Sequence, residues 1–334
     1  MTLDLPLIWA LIIAFAVFAY VVMDGFDLGI GILFVHHEDG PARDTAMNSI
    51  APIWDGNETW LVLGGGALMA AFPLAYAVIL SALYAPLTAM LLALIFRGVA
   101  FEFRWRDARH RSFWDMAFTG GSLVAAFAQG VVLGALLQGI AVEGRHYAGG
   151  WWDWLSPFSL LCGVSLVVGY GALGASWLVM KTEGALQKAA RRHATWLGGG
   201  TVICIGLVSL ATPFLQASYF QRWFHWPGLL FTVPVPLLVA VLTAAFFMSL
   251  KRGAERAPFL LLLGLFLLCF AGLGISMFPY IVPETITIWQ AAAPASSLAF
   301  VLVGAAVLIP VILIYTGYAY WVFRGKVGTE GYHG

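Results

Sequence analysis

Apolar residues run along this chain in long blocks, and polar residues gather in short stretches between them. The blocks predict nine membrane-crossing helices, at roughly 7–35, 51–73, 76–101, 113–141, 156–180, 194–217, 227–250, 258–281 and 292–323. About 20 apolar residues suffice to cross a bilayer, so the longer blocks imply tilt or extension into water. Only Pro73-Leu-Ala separates the second block from the third, which predicts a tight antiparallel hairpin. No gap is long enough for a soluble domain. The expected fold is an all-α polytopic membrane protein, a single integral domain over residues 1–334. Ala71-Phe-Pro73 and Ala211-Thr-Pro213, near the ends of the second and sixth blocks, hint at an internal repeat. That repeat would give two four-helix bundles, about 7–141 and about 156–281, with a peripheral ninth helix at about 292–323.

Composition sharpens the class. The chain is 61% hydrophobic and 10% charged, where a soluble domain carries about 25% charge. The net charge is zero, which suggests no nucleic-acid partner. The first apolar block has no basic region before it and is far longer than a signal-peptide core, so it reads as an uncleaved span. Cys162, Cys204 and Cys269 each stand singly in an apolar run and read as small buried hydrophobes rather than a disulfide framework or a metal site.

Sidedness comes from lysine and arginine. One side carries Arg43, Arg104, Arg106, Arg109, Arg111, Lys181, Lys188, Arg191, Arg192, Lys251, Arg252, Arg256, Arg324 and Lys326. The other carries only Arg145 and Arg222, and Arg97 lies inside the third block. The rich side is expected to be cytoplasmic, with the N-terminus periplasmic and the C-terminus cytoplasmic. Trp151, Trp152 and Trp154, and Tyr318, Tyr320 and Trp321, read as interfacial belts.

Against that background four carboxylates stand out. Asp55 and Glu58 lie in Trp54-Asp-Gly-Asn-Glu-Thr-Trp60, at the cytoplasmic end of the second span. Their spacing puts them on roughly one helix face. Asn48 and Ser49 are candidate caps, and Pro52 suits a first turn. A helix start favours an anion, which makes Asp55 the better candidate for a proton-entry group. The plainer reading is a pair of helix-end carboxylates in the wet headgroup layer. Asp24 and Asp27 repeat the spacing on the order of 12 Å inside the first span, where no positive dipole end helps them. A charge at mid-membrane costs about 2.5–3.5 kcal/mol on insertion scales. These two are expected to be protonated, wetted or paired with Arg97, as a proton relay or as a structural salt bridge. Arg97 could otherwise snorkel to the inner surface. Glu102, Arg104 and Arg106 read as a solvated face.

Histidine supplies a contrast. His36 and His37 fall at the inner end of the first span, and His110, His146, His193, His225 and His333 fall in loops, near helix ends or in the tail. None suits a haem clamp within the membrane. No phosphate-binding glycine motif is present. The chain has acids for protons and no evident redox ligands.

Met23-Asp-Gly-Phe-Asp-Leu-Gly-Ile-Gly31, Asn48-Ser-Ile-Ala-Pro-Ile-Trp-Asp-Gly-Asn-Glu-Thr-Trp60 and Phe96-Arg-Gly-Val-Ala-Phe-Glu-Phe-Arg104 resemble signature segments of subunit II of the cytochrome bd-type ubiquinol oxidases. Met277-Phe-Pro-Tyr280 and Tyr315-Thr-Gly-Tyr-Ala-Tyr-Trp321 also fit, so the resemblance spans the chain. It implies a heterodimer with subunit I, which holds two b haems and one haem d, and a complex that reduces O2 to water with quinol electrons and cytoplasmic protons. It implies a non-haem subunit in the bacterial inner membrane, surrounded by lipid, with a small single-span accessory subunit and a bound structural quinone or lipid as further expectations. The aspartate of the family's Trp-Asp-Gly-Asn motif, on a proton route at the subunit interface, maps to Asp55. Asp27 and Arg97 match charged family positions, and Trp60, with Trp54 nearby, matches a proposed oxygen route or interface. The chain is short for the family, which fits its cyanide-insensitive branch. Two other classes compete with this reading: a proton-coupled secondary transporter, which also uses intramembrane carboxylates, and a scaffold whose acids only brace the fold.

Overall fold

The computed structural model of the chain describes residues 3–226 and 228–327. Its elements follow in order: α1 Leu5–Leu33, α2 Pro41–Asn48, α3 Trp54–Ala71, α4 Pro73–Ala82, α5 Tyr84–Arg106, α6 Arg111–Leu137, then a hairpin of β1 Val142–Glu143 and β2 His146–Tyr147. The second part comprises α7 Pro157–Lys181, α8 Gly184–Ala211, α9 Ala217–Phe224, α10 Leu229–Thr232, α11 Pro234–Lys251 and α12 Ala257–Met277. A second hairpin, β3 Tyr280–Val282 with β4 Ile286–Thr287, leads through α13 Ile288–Ala291 to α14 Ala295–Val322.

Among the described residues, eight helices are long and apolar enough to cross a membrane. The expected second span is not among them. Its helix, α3, has 18 residues and opens on the polar turn Asp55, Asn57 and Glu58. The tight hairpin expected at Pro73 is also replaced. Pro73 starts a separate helix, α4, which packs against the β1–β2 hairpin, and the third span begins only at Tyr84. Proline at a first helical position is well tolerated because its missing N–H would have no partner there. The expected caps differ as well. Asn48 ends α2, Ser49 Oγ donates to Ala46 O at 2.7 Å, and Pro52 precedes a helix that starts at Trp54.

The sixth span starts earlier than its apolar block. Helix α8 begins at Gly184, so His193 sits within a helix rather than beside one. Its ring lies 5.9 Å from that of His37, centroid to centroid.

The core lies where α1 crosses α7. A Cβ on Gly29 would meet the backbone of Tyr170, and one on Gly174 would meet Gly29. The two helices therefore touch backbone to backbone, as small residues allow in a bilayer. Helices α5 and α6 pack along their length, as do α6 and α7, α7 and α8, and α11 and α12. Helix α14 lies along α1 and α3.

Candidate functional site

Burial of polar groups is concentrated where α1, α3 and α5 meet. Asp24, Asp27 and Arg97 are all 0% exposed. The position of Arg97 has a backbone cause. Gly121 of α6 faces it, and a Cβ there would stand 2.6 Å from Ala93 O and 3.2 Å from Arg97 Cβ. Glycine lets α6 close over this stretch of α5 and shuts the guanidinium inside.

Arg97 then serves two carboxylates. Its Nη2 lies 3.2 Å from Asp24 Oδ1, and its Nη1 donates to Glu58 Oε1. Its guanidinium carbon stands 5.8 Å from the Trp54 ring centre and 5.7 Å from that of Phe101. Those two rings stack with centroids 4.5 Å apart. The guanidinium therefore has aromatic walls, a favourable setting for a desolvated cation.

Asp27 has a different partner. Asn57 Nδ2 donates to Asp27 Oδ2 at 2.7 Å, and Tyr320 OH donates to Asn57 Oδ1 at 3.0 Å. Asp27 Oδ1 accepts no hydrogen bond among the described residues. Tyr20 stands beside Asp24. Gln129 Nε2 donates to Tyr20 OH at 2.7 Å, and Tyr170 OH donates to Gln129 Oε1 at 2.9 Å. Three carboxylates thus cluster around one guanidinium, which pairs with two of them. With all of them ionised the set would carry a formal charge of −2, from three anions and one cation, and each uncompensated buried charge is costly.

The remaining expected residues lie around this set. Asp55 is exposed in the first turn of α3 and makes no ion pair among the described residues. Glu58, one turn on, is 24% exposed at its side chain. Trp54 covers Arg97. Trp60 is 1% exposed and sits edge-on to Phe15 at 5.5 Å, packed with Ala16, Ala19 and Tyr20.

Four contributors escaped the sequence reading: Asn57, Tyr20, Gln129 and Tyr170. Asn57 lay inside the prominent motif and, unlike a carboxylate, gave no charge signal. Tyr320, read as an interfacial belt residue, instead turns inward to Asn57, while Tyr318 and Trp321 are exposed. The expectation for Arg104 is also corrected. Its side chain is 0% exposed, its Nε donates to Asp115 Oδ1 at 2.5 Å and its Nη1 donates to Asp44 Oδ1 at 2.8 Å. Its guanidinium lies 5.1 Å from the ring centres of both Phe34 and Trp105. Arg43 Nη1 donates to Asp115 Oδ2 at 2.8 Å, and Arg111 pairs with Asp44. Glu102 and Arg106 do form an exposed pair, 3.3 Å apart. A carboxylate on the facing helix, Asp115, pulls Arg104 inward. Of the histidines, His333 lies outside the described residues.

Comparison with known proteins agrees over nearly the whole chain. The family described as cytochrome bd terminal oxidase subunit II matches residues 5–323. The chain is 31% identical over 366 aligned positions to the cytochrome bd-I ubiquinol oxidase subunit 2 of Escherichia coli (strain K12), covering 98% of this chain and 96% of that one. It is 30% identical over 342 positions to the cytochrome bd ubiquinol oxidase subunit 2 of Bacillus subtilis (strain 168), with 96% of each covered. Among solved structures, the bd oxidase of Geobacillus thermodenitrificans contains a chain that matches in fold. The TM-score is 0.77 at 18% identity, over 94% of this chain and 98% of that one.

Proposed function

The chain belongs to the cytochrome bd terminal oxidase subunit II family, as a multi-pass subunit of a bacterial inner-membrane ubiquinol oxidase, and from that premise we propose that it holds and conducts protons for its partner's chemistry. The complex reduces O2 to water with quinol electrons and cytoplasmic protons. This chain contributes carboxylates, and subunit I contributes two b haems and one haem d. On this reading the chain itself holds no haem. Among the described residues the histidines stand at helix ends or in connections, except His193 inside α8 beside His37, and no group of three histidine, cysteine, aspartate or glutamate side chains could hold a metal ion. No step is therefore routed through a redox centre of this chain.

The observation that carries the proposal is the excess of acid over base, together with its gradation in exposure. Asp55 is exposed, Glu58 is partly exposed, and Asp24 and Asp27 are fully enclosed. One guanidinium balances one of the three clustered carboxylates, so relief of the surplus requires bound protons. Asp55 takes a proton from the cytoplasmic water, Glu58 receives it at the rim, and Asp24 and Asp27 retain it beside Arg97. Arg97 sets how many protons the cluster keeps. Trp54 and Phe101 exclude water from the guanidinium, and Trp60 keeps the α1–α3 contact dry next to the candidate oxygen route. The same reading takes the chain as one integral domain with nine spans. In it α3 is a span despite its polar opening, the helices form two groups of four with α14 alongside, the N-terminus is periplasmic and the C-terminus is cytoplasmic.

The test is quinol oxidase turnover in complexes carrying Asp55→Asn or Glu58→Gln. Each is expected to lower turnover by about a hundredfold or more, the usual range for a lost proton-transfer group being about 10²–10⁴, while the haem absorption spectrum stays unchanged. Undiminished turnover in both would leave the acids as braces of the fold.

A further inference from the structure

A cavity of about 310 Å³ opens at the end of the helices where the cations gather, sharing only Tyr320 with the network around the carboxylate cluster. Pockets for small ligands occupy about 300–1,000 Å³, so a headgroup-sized molecule fits. Trp177 and Tyr320 form its apolar back. Lys181, Arg256, Arg324 and Lys326 form the rest of the functional wall, with Glu255 as its one carboxylate. Four cations against one anion leave a formal charge of +3 on the wall.

The pairing within the wall does not cancel that charge. Glu255 is matched to Lys326 at 2.9 Å. Lys181 Nζ donates to two carbonyls, Phe323 O and Gly325 O, the second at 3.0 Å. Arg324 donates to Trp321 O at 2.9 Å, and neither Arg256 nor Arg324 has a carboxylate partner among the described residues. Arg256 also occupies the N-cap position of the 21-residue helix α12, whose first turn contains no acid, so the positive end of that helix lies beside this wall.

The wall is tied in place. Val327 N donates to Lys181 O at 2.8 Å, and Lys326 Nζ donates to Thr182 O at 3.0 Å. Ordinary surface cations spread apart and keep their water. These surround a concave site with an apolar back, and Lys181, Arg324 and Lys326 are held by bonds to backbone carbonyls.

We propose that this cavity binds a phosphate-bearing anion, with the phosphate among Lys181, Arg256, Arg324 and Lys326 and any attached apolar part against Trp177 and Tyr320. A lipid headgroup and free inorganic phosphate share that chemistry. The proposal does not depend on the proton-conduction reading.

The experiment uses the assembled oxidase, delipidated in neutral detergent. It is titrated separately with phosphatidylglycerol, phosphatidylcholine and labelled inorganic phosphate, and retained ligand is counted by native mass spectrometry and by filter binding. Phosphatidylglycerol is expected to be retained well above zwitterionic phosphatidylcholine. Arg256→Gln and Arg324→Gln, both at exposed positions, should each weaken retention about fivefold, the effect of roughly one interfacial charge. Arg252→Gln, an exposed cation off the cavity wall, should leave retention unchanged. Inorganic phosphate binding that is lost in the same two variants would support the site and assign it to the free ion. Equal retention in wild type and both cavity variants, or an equal loss in Arg252→Gln, would overturn the site.

Discussion

Two buried arginines seven residues apart on α5 have opposite surroundings. Arg97 pairs with two carboxylates, Asp24 and Glu58, and has a third, Asp27, nearby, with no second cation among its partners. Arg104 meets two, Asp44 and Asp115, and these also bind Arg43 and Arg111. About 10 Å of helix separates the two sets. The first carries a formal −2 and the cross-linked centre of the second, with three cations against two anions, +1, with Asp39 as a further, exposed partner of Arg43 at 3.5 Å. A guanidinium always keeps its proton, so neither set changes its charge through its arginines. The cation-rich set has a cross-linked form in which each carboxylate touches two arginines. It clamps the α2 segment to the end of α5 and the start of α6.

The difference predicts unequal costs of deletion. Arg97→Leu removes the only guanidinium from its set and should cost about 3–5 kcal/mol, the range for breaking a buried pair. The readout is the thermal midpoint and yield of assembled complex. Asp24→Asn added to Arg97→Leu should recover part of the loss. A variant as stable as wild type would mean that the acid-rich set needs no cation, which removes the contrast.

Arg104→Leu should cost less, about 2–3 kcal/mol, because Asp115 keeps Arg43 at 2.8 Å and Asp44 keeps Arg111. The same thermal measurement applies. A loss equal to that of Arg97→Leu would show that the extra arginines give no redundancy. Smaller again, Asn57→Ala should cost about 1–2 kcal/mol. It leaves Asp27 Oδ2 without its donor and the Tyr320 hydroxyl without its acceptor. Asn57→Asp, which keeps an acceptor for Tyr320 but brings a fourth acid to the cluster, should be worse than Asn57→Ala if the acid surplus is the governing feature.

The contrast also explains what could be read in advance. Long apolar blocks fixed the membrane class, and charge within them singled out Asp24, Asp27, Glu58 and Arg97, because an ionisable residue in such a block is expensive wherever it lies. Arg104 was misread because its block had ended and polar neighbours surrounded it. The residue that buries it, Asp115, sits on another helix. Tyr320 and Gln129 raise the same difficulty: a neutral polar side chain reveals no partner until the helices are packed. Helix α4 was missed because its apolar residues merge with those of the following span, and periodicity cannot separate a short cap helix from a continuing one. The close approach of α1 to α7 leaves a trace in the sequence, Gly25 and Gly29, which does not by itself identify the helix they admit.

The border of the cation-rich set supplies the smallest effect, and the sign can be worked out. His37 lies just beyond the first span, 5% exposed, and its carbonyl accepts from Arg43 Nε at 3.1 Å. Burial, then the neighbouring His193, His36 and Arg43, pushes its pKa down to about 4. An unfolded histidine titrates near 6.5. Between those values the unfolded chain binds the proton and the folded chain does not, so stability falls as pH drops through that window. From pH 7.5 to 5.5 the loss attributable to this group should be about 1 kcal/mol. It would appear as a lower thermal midpoint of the complex at pH 5.5, and His37→Gln should remove about that much of the slope. An unchanged slope in His37→Gln would mean that the imidazole reaches solvent when charged. The clamp around Arg43 would then be looser at its edge than at Arg104, and the two sets on α5 would differ in rigidity less than their charges suggest.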